Sequence, residues 1–107
     1  MKRFGQFIRL KSVGAEAYIR YHKEVWPKVL LTIKSCNMAN YSIFIKDNCL
    51  FAYFEYLGSD FNADMAKMAS DSETQRWWDL VKPLMEPIES RSQGEFWASM
   101  EEIFHLD

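Results

Sequence analysis

Asn40-Tyr41-Ser42-Ile43-Phe44-Ile45, then Lys46-Asp47-Asn48, then Cys49-Leu50-Phe51-Ala52-Tyr53-Phe54-Glu55-Tyr56 is the stretch that decides the fold. Two runs rich in aromatic and β-branched residues flank three polar residues suited to a turn, which predicts a β-hairpin. In the second run Leu50, Ala52, Phe54 and Tyr56 alternate onto one face, while Phe51 and Tyr53 fall on the other. Both faces are therefore apolar, and a strand with two apolar faces needs cover on both sides.

Upstream, residues 3–11 also alternate, with Phe4, Gln6, Ile8 and Leu10 on one face, and predict a first strand. Gly14 opens a helical run from Ala15 to about Cys36. Pro27 cannot donate a backbone hydrogen bond and clashes one turn back, so this helix should kink or restart near Trp26. Downstream, Gly58-Ser59-Asp60 supplies an N-cap for a second helical region reaching about Met85, which Asp71-Ser72-Glu73 breaks and caps again. Pro87 to Gly94 reads as a polar loop and Ser99 to Leu106 as a final strand. The order is β-α-β-β-α-β, so the expected class is α+β, a ferredoxin-like sandwich. Its two helical regions cover one sheet face. The other apolar face predicts a homodimer, of the dimeric α/β barrel type.

With 107 residues the chain has material for one core, so residues 1–107 are expected to form a single domain. Hydrophobic residues make up 49% and charged residues 26%, which excludes a disordered chain. Net charge is −2 and the thirteen basic residues are scattered, so no nucleic-acid partner is expected. Cys36 and Cys49 belong to no CxxC or Cys/His cluster, and there is no glycine-rich phosphate loop, so neither a metal nor a nucleotide cofactor is called for. The basic start lacks the apolar stretch of a signal peptide, and no segment approaches a membrane span, so the expected setting is a reducing cytoplasm.

Tyr18, His22 and Trp26 stand at i, i+4 and i+8 and share one stripe of the first helix, which Val25, Val29 and Ile33 roughly extend. His22 is thus directed at the sheet. One reading makes it a core histidine bonded to a backbone carbonyl. The other makes it a general acid/base, because imidazole titrates near neutral pH and burial tunes it. Tyr18 places a hydroxyl on the same wall, although a buried tyrosine is commonly just core. Trp77 and Trp78 project about 100° apart on a helix, so both rings cannot fill one core face. One can pack inward while the other lines a pocket or an interface, and an indole suits the C–H and hydroxyl faces of a sugar. Tyr41 alternates with Ile43 and Ile45 and points toward His22 if the isoleucines face the helices. Glu101 and Glu102 would point oppositely from the last strand, one of them inward. His105 reads as structural or exposed.

Together these residues resemble the L-rhamnose mutarotase family. The matching segments are Tyr18-Ile19-Arg20-Tyr21-His22 with Trp26-Pro27, Asn40-Tyr41-Ser42-Ile43, Gln75-Arg76-Trp77-Trp78, and Met100-Glu101-Glu102-Ile103-Phe104-His105-Leu106. They fall in the family's order and span nearly the whole chain. The sequence departs from some relatives at Lys23-Glu24, where Asn-Pro often follows the histidine. The resemblance implies a dimeric ferredoxin-like protein that needs no cofactor and acts on a small deoxy-L-hexose. It also implies that His22 is the proton donor and that Tyr18, Tyr41, Trp77 and Trp78 hold the sugar. Similar proteins act on L-fucose.

The implied reaction delivers a proton to the ring oxygen and removes one from the anomeric hydroxyl. The ring then opens, the aldehyde carbon rotates, and closure occurs from the other face. Glu102, Tyr18 or a held water are the candidate bases. Two other classes share the pattern: a cofactor-free monooxygenase or haem-degrading enzyme of the same fold, and a binding module with no titrating group at work.

Overall fold

The hairpin forms with a longer first arm than the alternation alone marks. In the computed structural model, which describes residues 1–107, β2 (Met38–Lys46) pairs antiparallel with β3 (Cys49–Tyr56). Asp47 and Asn48 make the connection, both in the left-handed region at φ 50° and 58°, as a two-residue turn matched to strand twist requires. β1 (Lys2–Leu10) pairs with the other edge of β3, from Lys2 opposite Tyr56 to Arg9 opposite Cys49.

The fourth position of the ferredoxin-like sheet, on the free edge of β1, is shared by two short strands. β4 (Met85–Glu86) pairs with Arg9 and Leu10, and β5 (Ala98–Met100) pairs with Gly5 to Phe7. Glu86 stands opposite Arg9 and Ala98 opposite Phe7, so residues 87–97 leave the sheet where β1 has only Ile8 to cross. The last strand is therefore interrupted, with a loop thrown out at the middle of the sheet. This corrects the expected strand from Ser99 to Leu106: the ladder stops at Met100, and Ile103, Phe104 and Leu106 are 90%, 79% and 80% exposed. Apolar alternation makes a strand only where a face exists to receive it, and in the single chain those side chains have none.

The first helical run divides as the proline demands. α1 covers Ala15–His22 and α2 covers Pro27–Ser35, with Pro27 in the first turn of α2 where its missing N–H leaves no bond unmade. The second region divides at Asp71 into α3 (Phe61–Ser70) and α4 (Ser72–Val81). Asp60 caps α3 by accepting from the Ala63 N–H at 3.1 Å, and Asp71 caps α4 by accepting from the Thr74 N–H at 2.9 Å. The Tyr56 hydroxyl bonds Asp64, which also accepts from the Asn37 amide at 3.0 Å, tying α3 to the ends of β2 and β3.

All four helices lie on one face. Ile8, Leu10 and Leu50 of the sheet pack against Tyr18, Val29, Trp77 and Val81 of the helices, while Phe54 and Met38 meet Cys36 and Met68. The opposite face carries Phe51 and Phe44, stacked with centroids 6.2 Å apart and 36% and 60% exposed. No helix is long and apolar enough to cross a membrane.

Candidate active site

Between the helices and the sheet lies a cavity of about 690 Å³, lined mainly by hydrophobic side chains. That volume falls in the usual range for small-molecule pockets, roughly 300–1,000 Å³. Tyr18, His22, Tyr41, Trp77 and Trp78 all line it, although they come from three separate elements of the chain.

His22 occupies the last turn of α1. Its Nδ1 lies 2.8 Å from the Tyr18 carbonyl one turn back. A carbonyl can only accept, so Nδ1 carries the hydrogen and the neutral ring has its free lone pair on Nε2. The backbone bond fixes the ring and leaves Nε2 free of that contact. Tyr18 stacks on the imidazole at 4.1 Å, and Trp77 meets it edge-on at 5.3 Å. Burial among these rings lowers the His22 pKa, only partly opposed by the bond to the Tyr18 carbonyl. At neutral pH the imidazole rests uncharged.

The two phenols are shifted the other way. Burial of the hydroxyl raises both, Tyr41 to about 12 although that residue as a whole is 38% exposed, and Tyr18 is raised further by the nearness of the Tyr41 oxygen. Both hydroxyls keep their protons at neutral pH, so neither supplies a resting base. Tyr41 reaches the cavity through an irregularity in β2. Ala39 pairs with Glu55 but Ser42 pairs with Tyr53, so Asn40 and Tyr41 share one place in the register, with Asn40 at φ 49°. This β-bulge shifts the alternation by one residue. Met38 faces the helices before the bulge, and Tyr41 and Ile43 line the cavity after it.

Trp77 is core, 6% exposed, with its edge contacts shared between His22 and Trp26, the latter at 5.3 Å. Trp78 is half-buried, and the Lys82 ammonium sits 4.4 Å above its ring, 5.0 Å from that of Phe96. The adjacent indoles thus occupy different environments while lining one cavity.

The carboxylate expected from the last strand is elsewhere. Glu102 lies beyond the end of β5 and makes two 3.0 Å bonds to the Arg3 guanidinium, and neither it nor Glu101 lines the cavity. The candidate base Glu102 is thus placed away from His22. The cavity's carboxylate is Glu95, on the loop between β4 and β5, beside Phe96 and Trp97. The sequence reading missed all three, along with Gln6, Ser99 and Lys82. Lys82, one turn after Trp78, was legible in the spacing. Glu95 was not, because its approach depends on how the sheet ejects the loop. His105 bonds Asp107 at 2.7 Å, away from the cavity.

Four helices over one face of a ferredoxin-like sheet, with an aromatic cavity between them that one fixed imidazole and two protonated phenols line, define a small α+β protein with a pocket of small-molecule size. The family model described as L-rhamnose mutarotase matches residues 3–106. The chain belongs to the L-rhamnose mutarotase family. It is 32% identical to the L-rhamnose mutarotase of Oceanobacillus iheyensis over 109 aligned positions, covering all of both chains, and 32% identical to that of Lactiplantibacillus plantarum over 107, again with full coverage of both. Among solved structures, the L-rhamnose mutarotase FA22100 of Formosa agariphila superposes with a TM-score of 0.78 at 25% identity, covering 100% of each chain. Tetracenomycin F2 cyclase of Streptomyces glaucescens superposes at 0.68 with 14% identity, covering 100% of this chain and 98% of its own, a likeness of fold alone.

Proposed function

We propose that the protein is an isomerase, a mutarotase interconverting the α and β anomers of L-rhamnose by acid/base ring opening and closure. In this reading residues 1–107 act as one domain within a homodimer, in a reducing setting that suits the free thiols of Cys36 and Cys49. The observation that carries it is the His22 imidazole, held by Nδ1 and lining an aromatic cavity of sugar size.

His22 is the proton donor to the ring oxygen. Because burial keeps it neutral at rest, the proton it donates is first collected at Nε2 from the anomeric hydroxyl. The O1–H bond breaks as the imidazolium forms, and the imidazolium then protonates the ring oxygen as the bond from that oxygen to C1 breaks and C1=O1 forms. The C1–C2 bond rotates, and the reverse steps close the ring from the other face. No net proton is gained or lost. One positioned acid/base contributes about 10²- to 10⁴-fold, which suffices for a reaction that already proceeds unaided in water.

Tyr18 and Tyr41, protonated at working pH, hydrogen-bond the sugar oxygens, while Trp77 and Trp78 present apolar ring surface to its C–H faces. Saturation-transfer NMR at the anomeric protons tests the reading with L-rhamnose, L-fucose and D-glucose. Exchange accelerated most for L-rhamnose is the expected result. Acceleration greatest for L-fucose would reassign the sugar, and no acceleration for any of the three would overturn the mutarotase reading.

A further inference from the structure

Glu95 is the one carboxylate among the residues lining the cavity. It is held by three donors: the Ser92 N–H at 3.0 Å and the Ser99 N–H at 3.3 Å reach Oε1, and the Ser99 hydroxyl reaches Oε2 at 2.5 Å. A carboxylate offers about four acceptor positions, so this arrangement leaves capacity for a further donor. The same three bonds hold its pKa below the usual carboxylate range, so it is ionised at neutral pH and can only accept. The ion pairs of the structure lie elsewhere, and the cavity's one lysine, Lys82, sits over the Trp78 and Phe96 rings.

An ionised acceptor bordering an aromatic cavity, fixed in place and without a cationic partner, is the chemistry that recognises a hydroxyl. Its place in the fold sets it apart from the proton-transfer group. Glu95 enters on the loop ejected between β4 and β5, and Ser99, which holds it, stands opposite Gln6 of β1, itself a lining residue. His22 enters from the end of α1. The carboxylate thus belongs to the sheet side of the cavity and the imidazole to the helix side.

We propose that Glu95 is a specificity-determining residue, accepting a charge-assisted hydrogen bond from a ring hydroxyl of the bound sugar on the wall built by the sheet. This rests on the reading of the cavity as the sugar site. The competing role for Glu95 is that of a fastener, joining the loop at Ser92 to β5 at Ser99 with no bond to substrate.

The two roles separate on the sugar, not on the mutant alone. Dissociation constants are measured by tryptophan fluorescence for L-rhamnose and its 2-, 3- and 4-deoxy analogues, on the wild type, Glu95→Gln and Glu95→Ala. Glu95 is held by solvent-exposed bonds, where water competes, so its hydrogen bond supports discrimination at the low end for a charged group, about 10-fold. The wild type is therefore expected to bind one deoxy analogue about tenfold more weakly than L-rhamnose. Glu95→Ala is expected to bind the two within about twofold, and Glu95→Gln, which keeps shape and one acceptor oxygen, to lose most of the preference. Should Glu95→Ala fail to fold, Glu95→Gln carries the comparison. A preference unchanged in the variants, with all sugars weakened equally, would establish the fastener and overturn the proposal, as would a wild type indifferent to every ring hydroxyl. A wild type binding none of these sugars would instead remove the underlying sugar-site reading.

Discussion

At the scale of the residue, His22 makes the backbone contact of one of the two readings that its spacing left open and has the cavity position that the other requires. The ring makes the backbone bond of a structural histidine, to the Tyr18 carbonyl at 2.8 Å, and lines a cavity with its other edge. His22→Ala is expected to slow anomer exchange by about 10²-fold or more, the scale for losing a general acid/base, while the protein stays folded because the side chain borders open space. A melting temperature far below wild type, with an unchanged rate per folded molecule, would make His22 structural only. Tyr18→Phe keeps the stacked ring and removes one hydroxyl, so its rate should fall less. The pH dependence follows from the direction of the shift. Burial lowers the His22 pKa, and in the proposed mechanism the resting neutral form starts the reaction. The catalysed rate should therefore fall as pH drops through that lowered value and be level above it. Stability moves in the same sense: the unfolded histidine takes up its proton near pH 6.5, before the folded one does. The His22 contribution is thus complete above that pH and lost as pH falls toward the folded value. Thermal melts of wild type and His22→Ala across this window measure it, and parallel curves would contradict it.

At the scale of the element, α4 and the bulge of β2 place the aromatic walls. Trp77 and Trp78 are neighbours in sequence, yet one is 6% exposed core and the other half-buried beneath Lys82. Trp77→Ala should cost about 3–5 kcal/mol of stability, as large aromatic truncations in cores do. Trp78→Ala should cost less stability and act more on sugar affinity. Equal losses in both quantities would show that the two indoles are equivalent. The caps act on helix stability, and that of α4 also holds Thr74, a residue lining the cavity. Asp71 accepts from the Thr74 N–H and hydroxyl at 2.9 and 2.8 Å at the start of α4, so Asp71→Ala should destabilise by about 1 kcal/mol. Chemical denaturation reads this directly. A loss of zero would show that the α4 cap is dispensable.

At the scale of the molecule, the sheet face away from the helices is the unbalanced feature. Phe44 and Phe51 stack there, and Ile103, Phe104 and Leu106 project from the segment after β5. A homodimer that covered this apolar surface would account for both. Sedimentation at micromolar concentration is expected to give twice the 12.7 kDa chain mass, and Phe44→Glu, on a side chain already 60% exposed in the single chain, should shift the protein toward monomer with its helices intact. A wild-type monomer under those conditions would remove the dimer.

Periodicity and punctuation in the sequence determined the parts of this protein that depend on near neighbours. The hairpin at Asp47-Asn48, the break before Pro27 and the caps at Asp60 and Asp71 are short-range events, governed by turn chemistry, a missing N–H and a side chain reaching its own backbone. The alignment of Tyr18 with His22 is likewise one helical turn. Three things required the assembled chain. The alternation from Ser99 to Leu106 described apolar side chains but not whether a face would receive them, so only Ala98–Met100 joined the sheet. The phase of β2 held from Tyr41 onward because the bulge falls at Asn40 and Tyr41, where the expected strand began. Glu95 entered the cavity because β4 and β5 share one edge of β1 and must eject the residues between them. Local geometry is written in residues a few positions apart. Which carboxylate meets the cavity is set by strand pairing across most of the chain, and no spacing between Glu95 and His22 encodes it.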